Sequence, residues 1–161
     1  MIRPARPEDI PRVEQIVDSA YRPYIARIGR PPGPMLDDYV RRVGDGQAWV
    51  LEHEGAIAGL LVLEDSPGAL LLDNVAIDPA AQGKGHGRTL IGFAEQEARG
   101  RGYKELRLYT HLLMAENQVL YARLGFRETG RVCEKGYERV YMTKTLAARG
   151  PNELSRATGS G

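Results

Sequence analysis

The chain has 161 residues, 42% of them hydrophobic and 27% charged, proportions that exclude a disordered or fibrous chain and predict one soluble domain with its own core. Twenty-two basic residues against 21 acidic ones, interleaved along the chain, leave a formal net charge of +1, so neither nucleic acid nor a membrane surface is expected as a partner. The single cysteine, Cys133, excludes an internal disulfide and suits a reducing, cytoplasmic compartment, and no apolar run has the form of a signal peptide or the roughly 20 residues of a membrane span.

Pro7, Glu8 and Asp9 suit a helix's first turn, and Ile10, Val13, Ile16 and Val17 recur at helical spacing, which predicts a helix over about 7–19. A proline-rich loop follows, then Leu36, Tyr39, Val40 and Val43 predict a short second helix. "QAWVLEHEGAIAGLLVLED" reads as a hairpin around His53-Glu54-Gly55. "ALLLDNVAI" is apolar enough for a strand buried on both faces, ended by Asp78-Pro79. Leu90, Ile91, Ala94 and Ala98 predict a helix from His86 to Ala98, stopped by Gly100 and Gly102. "KELRLYT" then reads as a strand, "AENQVLYARLG" as a helix ended by Gly125, and "FRETGRVCE" with "YERVYMTKTL" as two closing strands around Lys135-Gly136. Residues 147–161 have little to bury and are expected to form a flexible tail.

Between the buried strand and the third helix lies Gln82-Gly83-Lys84-Gly85-His86-Gly87-Arg88. A glycine-rich turn from a strand into a helix presents backbone N–H groups beside the positive end of the helix dipole, which suits phosphate oxygens, and Lys84 and Arg88 add charge. Taken alone, the same glycines also serve a tight connection. A P-loop requires Ser or Thr where Gly85 stands. A dinucleotide fingerprint requires glycine at Arg88 or, begun two residues later, at Leu90. Three scattered histidines and one cysteine show no metal-ligand spacing, so no metal is expected.

The pattern that does fit is Gln82-x-x-Gly85-x-Gly87 directly after "VAIDP". With Tyr121 placed four residues before Gly125-Phe126, it resembles the GNAT superfamily of acyl-coenzyme A-dependent N-acyltransferases over residues 1–146. The resemblance implies an α/β (α+β) fold: one domain with a mixed, mostly antiparallel sheet of six to seven strands, splayed between strands 4 and 5 and flanked by about four helices. It implies an N-acetyltransferase that moves the acetyl group of acetyl-CoA to a primary amine by direct attack in a ternary complex. A small-molecule acceptor is preferred to a protein.

On that resemblance, Gln82, Gly83, Lys84, Gly85, His86, Gly87 and Arg88 face the coenzyme pyrophosphate, and Val75, Ala76 and Ile77 lend backbone groups to pantetheine. Asn117 either caps its helix or joins them; the family's asparagine lies seven residues before the tyrosine, where Met114 stands. Tyr121 is the candidate acid for the leaving thiolate. Asp73, which interrupts an apolar strand, and His111, at the end of "LRLYTH", are the candidate bases. Tyr24, Asp38, Tyr39, Tyr109 and Tyr137, with Asp37, are the candidate acceptor-binding residues, drawn from "RIGRPPGPMLDDY", "CEKGYER" and the strand bearing His111. Two other readings stay open: an acyl-CoA-sensing module without turnover, and a nucleotide-phosphate protein. Dimers are frequent in the family, so a homodimer is an expectation with no interface legible.

Overall fold

In the computed structural model, which describes residues 1–147, strands β1 (Ile2–Pro4), β2 (Ala48–His53), β3 (Ala56–Ser66), β4 (Ala69–Ile77), β5 (Glu105–His111), β6 (Arg127–Glu134) and β7 (Tyr137–Thr145) form one sheet. Their order is β1-β2-β3-β4-β5-β7-β6, and every pairing is antiparallel except β4 with β5. The helices are α1 (Ile10–Tyr21), α2 (Tyr24–Ile28), α3 (Tyr39–Gly44), α4 (His86–Gly100) and α5 (Ala115–Arg123).

Each face of the sheet has its own apolar layer. Val13, Ile16 and Val17 of α1 pack with Val50, Leu60, Val62 and Ala76 on one face. Leu90, Ile91, Ala94 and Ala98 of α4 pack with Leu61, Leu63, Leu70, Leu72, Leu106 and Leu108 on the other. Burying each such valine, leucine or isoleucine side chain contributes about 1.5–3 kcal/mol. Gly59 lets α4 lie close, since a Cβ there would meet Ile77 Cδ1 at 3.0 Å and Leu90 Cδ1 at 3.1 Å.

Two irregularities in β4 shape the molecule. Leu72 pairs with Leu63 and Asn74 with Val62, so Asp73 is an extra residue bulged out of the ladder. The bulge reverses the alternation: Leu70 and Leu72 face α4 before it, and Val75 and Ile77 do so after it, while Ala76 joins the α1 layer. The parallel pairing with β5 spans only Leu70–Leu72 and Leu106–Leu108. Beyond it β5 continues on β7 to His111 and β4 continues on β3 to Ile77, so the sheet parts between them.

The expected order of elements holds, with local differences. Pro7–Asp9 is a 3₁₀ turn ahead of α1, and α2 rises in the proline-rich segment that reads as loop. The first hairpin turns through two residues, Glu54 and Gly55, both at positive φ. β1 is three residues long and contains Pro4, too short to carry a readable period. The tail expected over 147–161 lies, from residue 148 onward, outside the described residues.

Candidate active site

The parting of β4 and β5 opens into two cavities. A groove of about 1390 Å³, open to solvent, runs from the glycine loop along Val75, Ala76 and Ile77. A smaller cavity lies on the α1 side, walled by Asp73, Tyr109, His111, Tyr137 and Arg139 and roofed by Pro32-Gly33-Pro34. Tyr21, Val75, Met114, Asn117 and Tyr121 line both.

At the far end of the groove, Gly83 and Gly85 take φ values of 82° and 81°, a region that penalises any Cβ, and nothing lies within 4 Å of where one would stand. No backbone acceptor among the described residues takes the N–H groups of residues 83–88, which collect at the start of α4. A ligand anion would meet those donors and the helix dipole together. The loop is pinned from below: Arg12 Nη2 donates to Asp78 Oδ2 at 2.5 Å and to the Ile57 carbonyl at 3.1 Å, and Asp78 Oδ1 accepts from the Ala80 N–H. Hydrogen bonding to Arg12 and Ala80 holds the Asp78 pKa below its ordinary value. Gln82, Gly83, Gly85, His86, Gly87 and Arg88 line the groove. Lys84 is exposed and is not part of that lining. His86 opens α4 with its side chain buried, its Nε2 without a partner among the described residues and its ring 4.8 Å from that of His53.

Asp73 projects into the smaller cavity from the bulge. Tyr109 donates its hydroxyl to Oδ1 at 2.9 Å and Arg42 Nη2 donates to Oδ2 at 3.0 Å. Burial raises the Asp73 pKa above 3.8, against the opposing pull of Arg42 and Tyr109. His111 Nδ1 accepts from the Leu113 N–H at 3.0 Å, which leaves Nε2 of the neutral ring as a donor. At the junction, burial pushes the Tyr121 pKa up to about 12, so its hydroxyl holds its proton at neutral pH. The hydroxyls of Tyr21, Tyr39, Tyr103, Tyr109, Tyr137 and Tyr141 each donate within the protein. Those of Tyr24 and Tyr121 have no partner among the described residues.

Residues 44–128 match the acetyltransferase (GNAT) domain family. The chain belongs to the GNAT acetyltransferases. It is 34% identical over 82 residues to an uncharacterised N-acetyltransferase, YjgM, of Escherichia coli, covering 48% of this chain and 49% of that one. It is 33% identical over 88 residues to N-acetyltransferase 8 of rat, covering 51% and 40%. The matched stretch spans between 19% and 49% of the lengths of the curated relatives. Among solved structures, a GNAT-family acetyltransferase from Streptococcus agalactiae superposes with a TM-score of 0.77 at 21% identity, over 92% of this chain and 96% of that one. The PaiA N-acetyltransferase of Thermoplasma acidophilum, solved with coenzyme A, gives 0.73 at 18% identity, over 91% and 98%. These two share the fold.

Within this GNAT domain the residues expected at the acceptor site separate. Tyr109 and Tyr137 line the smaller cavity, while Tyr24 lines the longer groove beside Arg27 and Glu116. Asp38 caps α3 through the Arg41 N–H, and Asp37 pairs with Arg42, both outside the cavity lining. Tyr39 is buried beneath it, donating to the Pro34 carbonyl and accepting from Asn74 Nδ2 at 3.1 Å. Asn74 Oδ1 in turn accepts from Tyr21 at 2.6 Å, so a chain of hydrogen bonds ties α1 and the roof of the cavity to β4. Tyr21, Arg12, Arg42 and Asn74 carry no local signal of a role, because the partners that place them at the site lie far away along the chain, and Arg139 carries none because its pairing with nearby Glu134 is that of any strand-end arginine.

Proposed function

We propose that this GNAT domain is an N-acetyltransferase that binds acetyl-CoA in the longer groove and a primary amine in the smaller cavity, with the acetyl group passing at their junction. The observation that carries this reading is the position of Tyr121, which lines both cavities and whose hydroxyl has no partner among the described residues. The loop from Gln82 to Arg88 would hold the pyrophosphate, and the free edge of β4 from Val75 to Ile77 would pair with pantetheine. A metal has no part in this reading.

The amine arrives as an ammonium ion and must lose a proton before it can attack. Asp73, with its pKa raised and its carboxylate in the cavity wall, takes that proton. The nitrogen then attacks the thioester carbon, and a backbone N–H on the free edge of β4 stabilises the developing oxyanion. As the C–S bond breaks, Tyr121 gives its proton to the thiolate. The tyrosine recovers one from the nitrogen of the new amide, so coenzyme A leaves as the thiol and one proton goes to solvent. Placing two substrates in contact supplies most of the acceleration, and each proton transfer adds about 10²–10⁴-fold.

Calorimetric titration with acetyl-CoA, ATP and NAD tests the first half of the proposal. Selective micromolar binding of acetyl-CoA, lost in Gly85→Glu, is expected, whereas a preference for ATP or NAD would overturn it. Thiol release across an amine panel tests the second half; binding without any release would make the domain a sensor instead.

A further inference from the structure

The smaller cavity is lined by charges of both signs, Asp73 and Arg139. Arg139 stands on β7 opposite His111 of β5, with its side chain 14% exposed, and its guanidinium lies 4.3 Å from the centre of the Tyr109 ring. That ring carries the hydroxyl bound to Asp73. One tyrosine therefore separates an enclosed cation from an enclosed carboxylate, both in the same cavity wall. Arg139 has five N–H donors, and its one hydrogen bond among the described residues runs from Nη1 to Glu134 Oε2 at 2.7 Å. A second guanidinium, Arg30, lies 3.9 Å over the Tyr137 ring and has no carboxylate partner among the described residues. Both guanidinium groups thus lie near the Tyr137 ring, Arg30 from the exposed surface and Arg139, 6.0 Å from its centre, from within the cavity wall.

We infer that the acceptor is a free amino acid, its carboxylate held by Arg139 and its amine presented beside Asp73. This rests on the acetyltransferase reading of the site. Charge-assisted hydrogen bonds run to about 2.7–2.9 Å, and an amine and a carboxylate on one short carbon scaffold span the length of the tyrosine ring once such a bond forms at each end. Stacking on Tyr109 and pairing with Glu134 hold the guanidinium in place before the ligand arrives, which favours the planar, two-oxygen recognition that a carboxylate offers. A diamine would bring its second ammonium against Arg139, and a peptide N-terminus would bring an uncharged amide to the same place. In the transfer, the amino acid's C–N bond to the acetyl carbon forms as the C–S bond breaks. Of the ammonium's three protons, one stays on the amide, one passes to the coenzyme thiol and one reaches solvent through Asp73.

The test compares free L-amino acids with their amides and with the corresponding decarboxylated amines, by thiol release at saturating acetyl-CoA. At least one amino acid should show kcat/KM tenfold or more above both analogues, and Arg139→Gln should bring that value down to the level of the amide while acetyl-CoA affinity stays the same. Titration of the N-acetyl amino acid into the coenzyme A-loaded protein should show the same loss of binding, without turnover. Equal or better use of amines lacking a carboxylate, with acetyl-CoA bound normally, overturns this inference and leaves the transferase intact. Failure to bind acetyl-CoA overturns both. The substrate comparison on the unmodified protein decides the matter even if Arg139→Gln does not fold.

Discussion

Tyr109 donates its hydroxyl to Asp73 at 2.9 Å, across the point where β4 and β5 part. The bond lowers the Asp73 pKa while burial, the larger effect, raises it. Asp73→Asn should therefore lower kcat by about 10²–10⁴-fold. Tyr109→Phe removes a hydrogen bond to the charged form, so the acid limb of kcat/KM should move to higher pH. A limb that stays in place in Tyr109→Phe, or activity retained in Asp73→Asn, would assign the proton to another group.

Tyr121→Phe should lower kcat by about 10²-fold or more while leaving the acetyl-CoA Kd within a factor of two or so, because in the proposed mechanism the hydroxyl acts on the leaving thiolate and not on the bound coenzyme. Rapid-mixing measurement of thiol release beside equilibrium titration separates the two effects. Equal loss in both would make Tyr121 a packing residue, in keeping with its contact with Phe126.

Arg12 acts on the glycine loop at a distance, through Asp78. Arg12→Ala should weaken acetyl-CoA binding several-fold and lower the melting temperature slightly, since a half-exposed ion pair contributes about 0–1 kcal/mol. Gly85→Ala, which forces a Cβ onto a φ of 81°, should cost more in affinity because it disturbs the donors themselves. If acetyl-CoA binds both variants as it binds the unaltered protein, the loop is not the phosphate site.

Two histidines make stability depend on pH. Burial first, then His53 and Lys84, lowers the pKa of His86, and burial lowers that of His111 against the pull of Glu138. With the folded pKa below the unfolded value near 6.5, the unfolded chain binds more protons as pH falls. The stability these groups contribute is present above pH 6.5 or so and is lost as pH falls through their folded pKa values. Melting curves from pH 8 to 5 should show this decline, and His86→Asn should flatten part of it. An unchanged slope in the variant would mean that His86 is already protonated or freely solvated in the folded state.

Much of this was legible in the residues because it is local. The loop from Gln82 to Gly87 is one contiguous signal, and Tyr121 stands at a readable spacing from Gly125-Phe126. Alternation and helical spacing also set out most of the elements in order. The Arg42 pairing with Asp73 links residues 31 apart, and the Tyr21 bond to Asn74 links residues 53 apart, so no window of sequence contains both partners. Asp38, expected at the acceptor site, caps α3 instead, and the bulge that sets Asp73 in the cavity wall has no signature in the sequence. Arg139 gives no sign at all, since an arginine on a closing strand is usually solvated, and it is the pairing of β7 with β5 that sets its guanidinium over the Tyr109 ring.

The extra residue in β4 separates two properties that look joined. Deleting Asp73 would take away a carboxylate and close the bulge, but Asn74 already pairs with Val62 directly after the Leu72 pairing with Leu63, so Asn74 and Ala76 would go on facing α1 and Val75 and Ile77 α4. The bonds from Asn74 to Tyr21 and Tyr39 would keep their partners on the same face. The strand would thus alternate correctly without its insertion, and what position 73 adds is a charge laid between two faces that do not need it.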